Sequence, residues 1–364
     1  MKSRPVRWLA STIGKRGYIA RYLREASPTG SAVIGTGNDP FTPGFMSCDA
    51  AYLMPSIGDP EYLSRVVELC ARERITAALS LSDLDVPALA RVRDQLTDAG
   101  VACFFPDPVT AERFVDKVET ARFLRSHGLA TPPTFSHLGA AFDAVGTPLV
   151  VKPRRGSASE GLAVCYDHDS AWAAWSRAHE PIAQPYLAGC LVNVEACSCP
   201  GGSLLALSAW RRHRSVGGET LLAETVEHPR ALELAKTLLA ASPIPGPIDI
   251  DMIETHDQLW ILEVNTRFGG GYPTSHLAGA DFPGAMVEAL AGHRGARPMR
   301  SARPNVVMMK ELLPVYYERS RVAVAEPPAE RSAAARPVSS SARTPPPPSQ
   351  TDDSAVARGP TPRR

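Results

Sequence analysis

The chain has 364 residues, enough for two or three domains. It is 44% hydrophobic with a formal net charge of +1, so composition carries no electrostatic pull toward nucleic acid or an anionic membrane. No apolar run is long enough to span a bilayer, and the start, with Lys2, Arg4 and Arg7, lacks a secretory apolar segment; the expectation is a cytoplasmic protein.

Strand and helix signals alternate over the first hundred residues. Val6–Ala10 predicts a strand, Gly14 to Gly17 a turn, and Tyr18–Ala26 a helix. Ser31–Gly35 and Tyr52–Met54 predict strands, and Pro60–Glu73 an amphipathic helix with Leu63, Val66, Val67 and Leu69 on one side. Ile75–Leu81 and Val101–Phe105 are strands around a helix over Val86–Ala99 that Gly100 ends. This alternation points to a parallel sheet with crossover helices. Gly14 and Gly17 do not complete a GxGxxG fingerprint, so no dinucleotide site is inferred.

Val109–His127 predicts one long helix, with Phe114, Val118, Ala121 and Leu124 at helical spacing and Gly128 as its stop. Strand Pro148–Lys152 leads into a stretch rich in Gly, Ser and Arg that reaches Leu162, and a second strand follows at Ala163–Tyr166. Such a loop serves either as a flap over phosphates or as a polar hairpin. Ala171–His179 is a helix and Pro181–Tyr186 a strand. Leu191–Cys199 and Ser203–Arg211 form a hairpin, and Arg211 to Arg214 read as a basic loop before Gly217. Helices follow at Arg230–Ala240 and Pro283–Ala291. Seven scattered cysteines without paired CxxC spacing argue against a disulfide framework or a zinc site. From about residue 321 the chain is Pro, Ala, Ser and Arg, a composition that cannot offset ordering entropy, so a disordered tail is expected over 321–364.

The densest chemistry lies between Pro247 and Gly271. In a strand, alternate side chains share a face, so Asp249 and Asp251 share one, and Glu263, Asn265 and Arg267 another, with Trp260, Leu262 and Val264 behind. Adjacent strands can gather Asp251, Glu263 and Asn265 around a hard cation such as Mg²⁺, usually completed by nucleotide phosphates, with Arg267 reaching a phosphoryl oxygen. A solvated acidic edge is the plainer alternative.

Taken in order, Asp116-Lys117, Val151-Lys152-Pro153, Gln184 to Leu187, Asp251 and Glu263 to Arg267 resemble the ATP-grasp superfamily over roughly residues 5 to 315. The nearest branch is the carbamoyl-phosphate-synthase-large-chain-like carboxylate–amine ligases, including amino-acid ligases of the pyrrolysine-biosynthesis type. The resemblance implies an α/β protein: an N-terminal Rossmann-like (pre-ATP-grasp) parallel sheet over 1–108, then a two-lobed α+β ATP-grasp domain. Its small lobe would span 109–186 and its metal-bearing lobe 187–320. It implies ATP, with Mg²⁺ or Mn²⁺ on Asp251, Glu263 and Asn265. Lys117 and Lys152 are similar to the two nucleotide lysines. Gly156, Ser157, Ser159 and Gly161 look like the phosphate flap, and Gln184, Tyr186 and Leu187 like the adenine seat. Lys152 and Arg267 correspond to the groups that stabilise the transferring phosphoryl. Leu191 stands where relatives often carry a ribose-binding Glu; Asn193 and Glu195 follow on the same strand face, and Glu195 is the candidate substitute.

The chemistry implied is attack of a carboxylate on the γ-phosphorus of ATP, then displacement of phosphate from the acyl phosphate by an amine. The partners are therefore small-molecule carboxylate and amine substrates, with no nucleic acid and no membrane, and the branch suggests a homodimer. Arg211 or Arg214 could hold a substrate carboxylate, Gly269 to Gly271 could let backbone approach a ligand, and Thr12 to Gly17 and Ser82-Asp83 could contribute from the first domain. The competing readings are a carboxylase-like enzyme with another acceptor and a nucleotide-binding protein without catalysis. Met308-Met309-Lys310 has only a superficial likeness to a biotin carrier.

Overall fold

A computed structural model of the chain describes residues 4–157, 159–217, 219–292, 299–311 and 313–316. All lie in one compact unit, Met1–Ala325, and the tail expected over 321–364 lies outside the described residues.

The first hundred residues build a parallel sheet from β1 (Arg7–Ser11), β2 (Ala32–Gly37), β3 (Ala50–Leu53), β4 (Ala77–Ser80) and β5 (Ala102–Cys103), in the order β3-β2-β1-β4-β5. Both faces of these strands are apolar because helices cover both. Trp8, Ala10, Val33 and Leu79 pack with Ile19 and Leu23 of helix Gly17–Ala26. Leu9, Ile34 and Ala78 point the other way, onto Val66 and Leu69 of helix Tyr62–Arg72. The N-terminal Rossmann-like sheet expected from the alternation is present.

Two predicted helices are each broken in two. Val86–Ala99 divides into Val86–Ala90 and Arg93–Asp98. Val109–His127 divides into Pro108–Val115 and Lys117–Ser126, with Asp116 extended between them at φ −96° and ψ 109°. Asp116 accepts from the backbone N–H of Val118 (3.0 Å) and Glu119 (3.3 Å), so its side chain caps a new helix instead of continuing the old one. Hydrophobic spacing could not reveal this, because the break preserves it.

A three-stranded antiparallel sheet follows, with β6 (Leu149–Pro153) between β7 (Ala163–Cys165) and β8 (Pro181–Pro185). The third sheet holds β9 (Cys190–Ser198), β10 (Leu204–Val216), β11 (Glu219–Thr225), β12 (Gly246–Glu254), β13 (Leu259–Asn265), β14 (Arg300–Ser301) and β15 (Val307–Met309). Its order is β13-β12-β9-β10-β11-β15, with β14 beside β10. β10 runs on past the predicted end at Arg211 to Val216, so the supposed basic loop is strand.

One face of this sheet is a core. Val192, Val194, Ala209, Ile250, Met252 and Val264 pack with Ala231, Ala235 and Leu238 of helix Pro229–Ala241. Each fully buried aliphatic side chain of this kind contributes about 1.5–3 kcal/mol, which lets the opposite face carry charge. A register shift between Asp251 and Met252 corrects one expectation: Ile261 and Leu259, not Leu262 and Trp260, share the core with Val264. The irregularity falls at Leu262 and inverts the alternation behind it. Among the described residues no helix is long and apolar enough to cross a membrane.

Candidate active site

The polar face of the third sheet is built in two rungs across four strands. In one, Glu263 lies opposite Asp251, Asp251 opposite Asn193, and Asn193 opposite Trp210. In the next, Asn265 lies opposite Asp249, Asp249 opposite Glu195, and Glu195 opposite Ser208. The period-2 pattern becomes a patch because cross-strand neighbours stand about 5 Å apart.

Asp251 accepts from Asn193 Nδ2 (2.7 Å) and Asn265 Nδ2 (3.1 Å) and pairs with Arg212. Burial pushes its carboxyl up, but Arg212 and the Asn193 hydrogen bond outweigh that and hold it below its ordinary value. Asp249 goes the other way, pushed up to about 6 by burial and the Asp251 charge, against Arg267 and Arg212. Arg267 is buried, with Nη2 2.6 Å from Asp83 and Nη1 3.4 Å from Asp249. Burial disfavours its charge, yet Asp83 and Asp249 more than restore it. Its Nε–H is buried with no partner. Asp83 follows β4, at the carboxyl edge of the parallel sheet, where α/β folds commonly place ligands. Arg16, from the turn after β1, donates to Phe268 O and Leu81 O, both at 2.9 Å. Both N-terminal segments singled out in the sequence thus reach the Arg267 loop.

β6 of the three-stranded sheet brings Lys152, and the helix begun by the Asp116 cap brings Lys117. Lys117, first residue of its helix because of the Asp116 break, places Nζ 2.9 Å from Glu263 and donates to Gly156 O at 3.1 Å. The Lys152 ammonium is buried and has no hydrogen bond or ion pair among the described residues. Burial depresses its pKa, Glu263 and Asp251 oppose that, and Lys117 adds to it. Lys117, Lys152, Gly156, Ser157, Ser159 and Glu263 line one pocket, beside a second that includes Asp83, Glu263 and Asn265. Gly161 closes the flap at φ +69°, with Pro153 against it.

The hinge residues stand apart from that pocket. Gln184 lies opposite Val150 in the sheet that carries Lys152 and donates to Thr134 Oγ1 at 2.9 Å. Tyr186 is exposed, Leu187 half-buried. Glu195 is not with them. It is 1% exposed, accepts from Ser275 Oγ at 2.5 Å, and has Oε1 buried beside Gly269. Burial and the neighbouring Asp249 push its carboxyl well up. Such a position does not fit a ribose contact, because the side chain has no open side.

Other expectations are relocated by the packing. Arg154 and Arg155 of the flap are taken up by the cap: Arg154 Nε lies 2.9 Å from both Asp116 oxygens, and Arg155 pairs with Glu112 at 2.8 Å. Of the basic run, Arg211 lies opposite Val192, on the face away from the site, and Arg214 is exposed; Arg212 is the residue that enters. Alternation from Trp210 along an extended strand is the signal that could have found it. The Gly269 and Gly271 backbones approach the protein itself: a Cβ would overlap Glu195 at the first and the Trp210 ring at the second. Lys310 pairs with Glu219 at 2.6 Å and donates to Gly270 O at 2.5 Å, so it is a brace for the glycine loop.

Among the described residues no three His, Cys, Asp or Glu side chains form a cluster that would hold a metal alone. Asp251, Glu263 and Asn265 instead supply two carboxylates and an amide. The Asn265 nitrogen is engaged by Asp249 O and Asp251, which turns its oxygen outward. This hard oxygen set fits Mg²⁺ or Mn²⁺ whose remaining ligands come from phosphates and water.

Comparison with known proteins agrees with this fold. Residues 9–104 match the family described as PylC-like, N-terminal domain, and residues 177–312 match ATP-grasp in the biosynthetic pathway with Ter operon. No curated protein matches by sequence. Among solved structures, the biotin carboxylase domain of Hydrogenobacter thermophilus 2-oxoglutarate carboxylase superposes with TM-score 0.65 at 15% identity, over 82% of this chain and 72% of that one. The Thermotoga maritima N5-carboxyaminoimidazole ribonucleotide synthetase gives 0.63 at 16%, over 82% and 78%. The Bacillus licheniformis L-amino acid ligase gives 0.63 at 19%, over 80% and 75%. With an ATP-grasp family match over 177–312 that takes in β8 and the acidic strands, the chain is similar to ATP-grasp proteins there and shares the fold of these solved structures.

Proposed function

We propose that this ATP-grasp ligase uses ATP and Mg²⁺ to join a carboxylate to an amine through an acyl phosphate, acting on an amino acid or another small metabolite. The observation that carries the reading is Lys152, a buried side chain whose ammonium has no hydrogen bond or ion pair among the described residues, in one pocket with Lys117 and Glu263. A bare buried cation is costly unless an anion is meant to meet it. Two sheets of different parentage put cations and hard oxygen donors face to face, as phosphoryl transfer requires.

In this reading Lys117 and Lys152 hold the terminal phosphates, and the 156–161 loop covers them. Asp251, Glu263 and Asn265 would hold Mg²⁺, which would supply neutralising charge to the phosphates. Asp83 and Asp249 fix Arg267, the candidate cation for the transferring phosphoryl. A substrate carboxylate oxygen bonds to the γ-phosphorus as the bond to ADP breaks. An amine then bonds to the acyl carbon as phosphate leaves. Gln184, Tyr186 and Leu187 are assigned to the base. The division at about residues 108 and 186 belongs to the proposal and follows the three sheets.

The Bacillus neighbour, named for amino-acid ligation, favours an amine acceptor; the carboxylase neighbours make bicarbonate the second reading. The test is incubation with ATP, Mg²⁺ and pooled amino acids, in parallel with bicarbonate, following phosphate release and new masses. ADP with a new amide supports the ligase. ADP only with bicarbonate moves the acceptor, and ATP binding without turnover on a broad panel refutes catalysis. A homodimer, the assembly of the Hydrogenobacter domain, is part of the proposal and is checked by light scattering.

A further inference from the structure

We propose that Arg212 is an internal counter-cation that keeps Asp251 closed to a free divalent ion, so that metal enters only together with nucleotide phosphates. This rests on the metal-site reading above and goes beyond it.

Arg212 is held in place from several sides. Its Nη2 pairs with Asp251 and also donates to Asn193 Oδ1 at 2.8 Å. Asn193 in turn donates Nδ2 to Asp249 and to Asp251, both at 2.7 Å, which fixes the amide that orients the guanidinium. The Arg212 guanidinium carbon lies 5.6 Å from the Trp210 ring centroid. Only 21% of the side chain is exposed. The arginine therefore occupies a built position over the acid.

Apart from Glu195, whose carboxyl is pushed well up by burial, and the exposed Glu160 of the flap, four acids and four cations meet here. Asp83, Asp249, Asp251 and Glu263 face Arg212, Arg267, Lys117 and Lys152. A metal entering alone must detach Arg212 from Asp251 and Lys117 from Glu263. It would strand two buried cations without a new anion, the costly outcome for a partly desolvated pair. Phosphates change this. They give Lys117, Lys152 and Arg212 an alternative partner at the moment the carboxylates are needed. Metal and nucleotide binding should therefore be strongly coupled, and Arg212 should be a main source of the coupling.

The test is titration of the full chain with Mn²⁺, reading free ion by electron paramagnetic resonance, with and without a β,γ-methylene ATP analogue. Wild type should bind Mn²⁺ alone at least about tenfold more weakly than with the analogue. Arg212→Gln should tighten binding of Mn²⁺ alone by about tenfold or more, and Asp251→Asn added to it should abolish the gain. Arg212→Lys, which keeps a charge on a single-point donor, should show a smaller gain in the same direction. The role of Arg212 is overturned if wild type takes Mn²⁺ with the analogue but neither variant binds Mn²⁺ alone more tightly. It is overturned too if wild type binds Mn²⁺ equally well with and without the analogue. If wild type takes up no Mn²⁺ even with the analogue, the metal site itself is refuted.

Discussion

Asp116 is where fold and site meet, and its removal should be felt in both. Asp116→Ala deletes the cap of helix Lys117–Ser126, worth about 1 kcal/mol. It also strands Arg154, whose Nη2 lies 2.6 Å from Asp116. Asp116 is 2% exposed but Arg154 is 34% exposed, so solvent reduces that second loss to about 1–2 kcal/mol. The expected total is about 2–3 kcal/mol, or a melting shift of roughly 3–4 °C for a unit of this size. Asp116→Asn keeps the capping oxygen and should lose only the ionic part. Both should raise KM for ATP, because Lys117 is the first residue of the helix the cap begins. The pH dependence has a definite sign. Burial pushes the Asp116 carboxyl up, but Arg154 and the Glu119 and Val118 N–H groups outweigh it, so its folded pKa lies below 3.8. The stabilisation is complete above that value and is lost as pH falls through the folded pKa. Thermal melts of both variants from pH 3 to 7, with ATP titrations, test this. A melting point for Asp116→Ala within a degree of wild type at pH 7 would refute the reasoning.

Glu263→Gln should cut ATP-dependent product formation by about 10²–10³ while the protein stays folded, melting somewhat lower because Lys117 loses its charged partner, measured as phosphate release by purified protein. Arg267→Ala should lose as much activity and should also melt lower, since it strands Asp83 and Asp249. Lys152→Met should abolish ATP binding by calorimetry yet leave the protein as stable as wild type or more so, because an unpaired buried cation is removed. The same residue predicts a pH trend: its folded pKa lies below 10.5, so wild type should gain stability relative to Lys152→Met as pH rises toward that value. Gly271→Ala should cost about 1–3 kcal/mol by forcing a methyl into the Trp210 ring, and normal melting would contradict the packing described.

The alternating pattern on β12 and β13 is legible in the amino-acid sequence alone, because a strand assigns faces by counting. That, with the strand–helix alternation and the order of motifs, determined the fold class, the family and the acids and lysines of the candidate site. Counting could not see partners. Whether Asp251 meets Glu263, Asn193 or Arg212 depends on registers between segments distant in the chain, set by how the apolar face closes over helix Pro229–Ala241. The Asp116 break kept helical periodicity, and the irregularity at Leu262 inverted an alternation that looked regular. Glu195 shared the right strand face but was sealed beneath Gly269 and Ser275. Local chemistry chose the residue types; long-range packing chose which of them face one another, and hence which charge is buried, paired or left waiting.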